Sequence, residues 1–171
     1  MTGVEVIGPA PRGAGLRRVD YVGFDWDASL PQGPGFDVVS MGVRLGFEDG
    51  SRYLLRWYLR EPYECLTTWE WPDGRLSPMA RALDASERWS HLLGTRVCGQ
   101  HVGMMETSWG SQPWSCRLDF EGGGSLVVCL GEMNDEGIPV YIPDALLVTG
   151  SRDHALAYQP LPTYPRAWAG E

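Results

Sequence analysis

"VRLGFEDGSRYLLRW", residues 43–57, alternates apolar and polar side chains on both sides of an Asp-Gly turn signal. Val43, Leu45 and Phe47 alternate with Arg44 and Gly46. Beyond Gly50, Tyr53, Leu55, Trp57 and Leu59 alternate with Arg52, Arg56 and Arg60. A period of two broken by a turn predicts a β-hairpin. The register follows from the faces. A two-residue Asp-Gly loop would set Leu45 against Leu54 and Phe47 against Arg52, mixing apolar and polar faces. A three-residue loop, Glu48-Asp49-Gly50 with Gly50 left-handed, sets Leu45 against Tyr53 and keeps the faces apart.

The same pattern recurs in "CRLDFEGGGSLVVCL", residues 116–130. Here a Glu121-Gly122-Gly123 loop pairs Leu118 with Leu126 and Cys116 with Val128. The second copy has Val127 and Cys129 where the first has arginines, which predicts burial on both faces for hairpin two and a more superficial place for hairpin one. Each hairpin has an upstream strand candidate, "VDYVGFDW" (19–26) and "GTRVCGQHVGMMETSW" (94–109), joined by "SLPQGPG" (29–35) and "GSQP" (110–113). The expected fold is mainly β, with antiparallel sheets from two similar three-stranded β-meander units, 19–60 and 92–131, and one or two short helices.

Between the units, "LSPMARALDASERWSHLLG" (76–94) predicts a helix from the stripe Met79, Leu83, Trp89, Leu92 and Leu93, with Ser86 capping a second turn and Gly94 as its stop. "ALLVTG" reads as a strand, and "SRDHALAY" as a short helix capped by Ser151. The organisation expected is a flexible segment over 1–15, one compact domain over 16–160 and an irregular tail over 161–171.

Composition narrows the function. The net charge is −8, and all 14 basic residues are Arg. A phosphate backbone or an anionic membrane rewards a basic face, so nucleic acid and membrane are poor partners and a basic protein is a better one. The absence of Lys removes Schiff-base and P-loop lysine chemistry. "MTGVEVIGPAPRGAGLRR" lacks the apolar run of a signal peptide, so the expected location is cytoplasmic. The expected state of Cys65, Cys98, Cys116 and Cys129 is buried free thiols in a reducing compartment.

Catalytic and metal motifs are weak. Cys98 and His101 form C-x-x-H, but zinc needs about four converging ligands and no second paired motif exists. His91, His101 and His154 stand in no G-x-S-x-G, H-E-x-x-H or Cys-His signature, and "GEMNDEG" (131–137) lacks the D-x-D-x-D-G calcium pattern. The reading leans away from an enzyme, and neither a cofactor nor a metal is implied.

The densest feature is "RWYLREPYECLTTWEWPDG" (56–74), where aromatics interleave with carboxylates. From Leu118 through Ser151 there is no basic residue. Together these suggest a partner-binding face with Trp69 and Trp71 as anchors. Its charges would be Glu61, Glu64, Glu70, Asp73, Glu132, Asp135, Glu136 and Asp144.

Residues 92–160, "LLGTRV…W…PWSCRLDFEGGGSLVVCLGEM…YIPDALLVT…HALAYQP", resemble a pattern in small actinobacterial proteins. That pattern is a strand after L-x-G, an F-x-G-G hairpin ending in G-E, and P-D-x-L-V-V before a short helix. Its style is similar to immunity proteins of bacterial polymorphic toxin systems. The resemblance implies a neutralising protein whose partner is a basic effector or toxin, and it carries over no catalytic residue. Two alternatives stand beside it. One is a β-barrel or sandwich that binds a small organic ligand in an aromatic cavity, as a cyclase or isomerase. The other is a structural or regulatory subunit of a larger assembly.

Overall fold

The computed structural model describes residues 7–24, 32–60, 63–69, 76, 78–108 and 110–158, with the side chains of 32, 60 and 63 left aside. The first strands are β1 (Leu16–Phe24), β2 (Gln32–Gly33), β3 (Phe36–Val39), β4 (Gly42–Phe47), β5 (Arg52–Arg60), β6 (Tyr63–Thr67) and β7 (Ala80–Asp84). They are followed by β8 (Val97–Thr107), β9 (Gly110–Phe120), β10 (Ser125–Leu130), β11 (Glu132–Met133), β12 (Pro139–Val140), β13 (Leu146–Thr149) and helix α1 (Arg152–Ala157). The fold is mainly β and antiparallel, as the alternation predicts.

Both hairpins form in the expected register. Leu45 faces Tyr53, Leu118 faces Leu126 and Cys116 faces Val128. In each loop the residue before it and the residue after it close the turn, Phe47 N on Ser51 O and Phe120 N on Gly124 O. Gly50 and Gly123 take φ of +84° and +94°, the left-handed region such a loop needs.

The repeated unit is larger than the sequence suggests. One sheet runs β6-β5-β4-β1-β7 and the other β2-β3-β13-β10-β9-β8. Thus β1-β4-β5-β6 in the first sheet matches β8-β9-β10-β13 in the second, a four-stranded meander in each. The Pro/Gly connector between β1 and β4 is more than a link. It leads into β3, which crosses to the second sheet and pairs with β13, Phe36 opposite Thr149 and Val39 opposite Leu146.

The helix expected over 76–94 is not there. Residues 80–84 are β7, which pairs with β1 from Asp20–Asp84 to Phe24–Ala80, and only a 3-10 turn, Ser90–Leu92, follows. A stripe of apolar residues cannot register that the edge of β1 offers unpaired N–H and C=O groups. Ser86 serves that edge instead of capping a helix: its Oγ accepts from Val19 N at 3.1 Å, while its own N–H donates to Asp84 Oδ1. Local bonds of this kind compete with helix formation. Met79 of the stripe is 55% exposed. Within residues 7–15, Ile7, Ala10 and Ala14 are buried, and Gly8 N and Ala10 N donate to Thr68 Oγ1 and Gln100 Oε1.

The two sheets share one core. Val19, Tyr21, Val43, Leu45, Tyr53, Leu55 and Leu66 from the first meet Trp114, Cys116, Leu118, Leu126, Val128, Leu146 and Val148 from the second. Each aliphatic side chain buried there contributes about 1.5–3 kcal/mol. The far face of hairpin two is covered as well, with Val127, Cys129 and Leu147 packed under Ala155 and Tyr158 at the terminal helix. Ser151 caps that helix, accepting from His154 N. The outer face of hairpin one is mixed: it carries the exposed Arg52 and the partly exposed Arg44 and Arg56 beside the buried Leu54.

Candidate functional site

Of the ten residues proposed for partner binding, Glu61, Glu70, Trp71 and Asp73 lie outside the described residues. The other six fall along one edge of the sandwich and in the excursion between β10 and β13. Trp69 is 43% exposed and meets Tyr58 edge-on, ring centroids 5.8 Å apart. Arg56 fixes this pair: its Nε donates to Trp69 O at 2.8 Å and its guanidinium lies 5.9 Å from the Tyr58 centroid. Leu59, 50% exposed, continues the patch, and a groove of about 260 Å³ opens beside it against Met41 and Trp57.

Glu64 is a correction. It is buried, 4% exposed, and so presents no surface charge. Its ladder partner is Leu59, and its carboxylate reaches into the excursion. Oε1 accepts from Asp144 N at 2.8 Å and Oε2 from the Tyr141 hydroxyl at 3.1 Å. Burial raises the Glu64 carboxyl above its ordinary value, against the lowering effect of these two hydrogen bonds. Glu64 therefore works as a latch. It holds Asp144, a non-glycine residue at φ 60°, in the left-handed region.

The latch ties the acidic excursion to β6, next to Leu59 on β5. Gly131 N closes the base of the excursion on Ala145 O at 2.8 Å. At its tip, Asn134 Oδ1 accepts from Glu136 N and Ile138 N, which turns Asp135 and Glu136 outward into solvent. Glu132, in β11, is half-buried. No Arg lies between Arg117 and Arg152 to neutralise this lobe.

A second constellation went unrecognised in the sequence. Asp37 on β3, 1% exposed, accepts from Tyr21 OH at 2.7 Å and from Arg88 Nε at 3.2 Å, and its other oxygen lies 3.1 Å from Arg88 Nη2. Tyr21 OH in turn accepts from Trp89 Nε1 at 2.6 Å. Burial, then the Asp37 carboxylate, push the Tyr21 hydroxyl far above the ordinary tyrosine range, so it stays a neutral donor. Arg88 also reaches the Gly33 and Phe36 carbonyls. A cleft of about 350 Å³ lies over this network, walled by Phe36, Trp89, His91 and Ser151. The only signal available in the sequence was a lone Asp between apolar residues of "FDVV", too little to find a partner 51 positions away.

The thiols divide. Cys65, Cys116 and Cys129 are buried, but Cys98 is exposed, correcting the expectation for it. A bulge at the start of β8, between Val97 and Gly99, turns Cys98 out of the ladder. His101 Nε2 lies 3.1 Å from Asp119 Oδ2. Among the described residues no group of three or more His, Cys, Asp or Glu converges on a point where a metal would sit, and no helix there is long and apolar enough to cross a membrane. No protein-family model, curated protein or solved structure matches the chain.

Proposed function

We propose that this chain is a cytoplasmic protein-binding module of the immunity or neutralising kind, which takes a basic effector on its aromatic edge and acidic excursion. The observation that carries this reading is the Glu64 latch, which ties the Asp144 turn to β6 beside its ladder partner, the exposed Leu59. Exposed aromatic and aliphatic side chains beside carboxylates supply anchors and a steering field together. A core filled from both sheets also favours binding at the surface over binding in an internal cavity.

The test is binding to an effector encoded at the adjacent locus, immobilised and probed at several salt concentrations. Association should slow steeply as salt rises while dissociation changes little. Charge reversal at Asp135 and Glu136 should slow association, and Trp69→Ala should speed dissociation by about 2 kcal/mol or more. Salt-independent association, or full affinity after Trp69→Ala in a protein with a near-native thermal midpoint, refutes the reading. The small-ligand reading draws on the cleft beside Arg88 and Trp89. Saturable quenching of Trp fluorescence by an organic ligand, abolished in a folded Arg88 variant, would favour it.

A further inference from the structure

The outer face of the first sheet has the opposite charge. Across β1, β4 and β5 one row of the ladder reads Arg18–Gly46–Arg52, and the next reads Asp20–Arg44–Leu54. Directly opposed residues, and residues two apart on one strand, share a face. Three arginines therefore surround a position with no side chain. Gly46 is the floor of this groove: an added Cβ there would have the Arg18 Cβ as its nearest neighbour, at 3.7 Å.

Two depressions meet over Gly46. One, of about 460 Å³, extends past Arg17 towards Gly50 and Ser51. The other, of about 270 Å³, extends to Asp20 and Arg44. Arg18, Gly46 and Arg52 line both.

Four guanidinium groups here face two carboxylates. Asp20 sits 2.6 Å from Arg18 and 3.1 Å from Arg44, and Asp84 lies 3.6 Å from Arg18. Asp49, at the nearby turn, is held by Ser51 N and Oγ. Arg17 and Arg52 are exposed and have no ion-pair partner among the described residues. A positive groove on a chain of net charge −8 is a local reversal. Guanidinium forks match carboxylates in geometry as well as in charge.

We propose that this groove binds an acidic peptide segment of a partner protein, laid along β4 with its carboxylates between Arg18 and Arg52. Its length favours a peptide over a single small anion. From Arg44 to Phe47 the strand rises about 10 Å at 3.4 Å per residue, enough for successive side chains of an extended chain. The groove lies at the opposite end of β5 from Tyr58 and Leu59, so it is independent of the aromatic edge.

The probe is a fluorescein-labelled hexaglutamate peptide, followed by fluorescence anisotropy against the full chain at low salt. Saturable binding is expected. Gly46→Asp, a carboxylate placed between Arg18 and Arg52, should weaken it about tenfold or more, and Arg52→Gln by about threefold. Arg152→Gln, on helix α1 over the second sheet, should leave it unchanged. Arg52→Gln carries the test if Gly46→Asp lowers the thermal midpoint. Lack of saturable binding, or wild-type affinity in the folded groove variants, overturns the proposal. Full displacement by an equal concentration of inorganic phosphate also overturns it, because the groove is then a simple anion site.

Discussion

Replacing Arg88 with Met should cost the fold about 3 kcal/mol, because it strips the cation from a buried carboxylate. In the native protein Asp37 Oδ2 accepts from Tyr21 OH and Arg88 Nε, while Oδ1 makes no hydrogen bond and has the Arg88 Nη2 cation 3.1 Å away as its ion-pair partner. The substitution keeps an apolar stem but leaves Oδ1 with no cation in a site where Asp37 is 1% exposed. Breaking a buried pair from one side costs about 3–5 kcal/mol. The lower end applies because the Arg88 side chain is itself 34% exposed, so water can follow it in. Urea unfolding, read by Trp fluorescence, gives the number. With a slope of about 2 kcal/mol per M, the midpoint should fall by about 1.5 M at unchanged slope. Tyr21→Phe should cost about 2 kcal/mol, since it also leaves the buried Trp89 Nε1–H without its acceptor. The double variant should lose less than the sum, because the two act on the same carboxylate. A midpoint shift below about 0.3 M for Arg88→Met would refute the argument and mean that Asp37 is solvated from elsewhere.

Burial raises the Glu64 carboxyl above its ordinary 4.5, so between 4.5 and that raised value the folded state holds more protons than the unfolded chain. Stability should therefore fall as pH rises through that window, and Glu64→Gln should flatten this part of a pH series of urea midpoints; an unchanged slope contradicts the latch. Gly50→Ala should cost about 1 kcal/mol, since φ is +84° but the surrounding space is open. Gly131→Ala should cost well over that and expose β11 and β12 to hydrogen exchange, because its Cβ would stand 2.0 Å from the Val140 carbonyl oxygen; equal costs for the two would refute the geometry. A thiol reagent should titrate one cysteine in the native protein, Cys98, and the others only after unfolding. Burial pushes the Cys116 thiol up to about 12 and that of Cys129 higher still, so a second fast native thiol would contradict the packing.

The hairpins were legible because their information is local. Alternation fixes the faces, and one glycine per loop fixes the register, so Leu45–Tyr53 and Leu118–Leu126 follow from about fifteen residues each. What the sequence hid is long-range. β3 gives no sign of leaving its own hairpin until its partner β13 is known, and β7 looks helical until the open edge of β1 is known. Trp69 reads correctly as an exposed aromatic. Glu64 does not, because its partners Tyr141 and Asp144 lie 77 and 80 positions further on and a carboxylate in a mixed strand reads as surface. Asp37 and Arg88 were missed for the same reason.

The crossing of β3 also sets a timetable for synthesis. Thr149 Oγ1 donates to Gly35 O across 114 positions, and every ladder bond of β3 to β13 spans a comparable length. At about 5–20 residues per second, roughly 5–23 s separate the synthesis of β3 from that of its partner. During that interval β1, β4, β5 and β6 can close their own meander, while Phe36–Val39 stays attached to it as a strand with a missing neighbour. Until β13 arrives, this four-residue segment is open to pairing with a foreign strand.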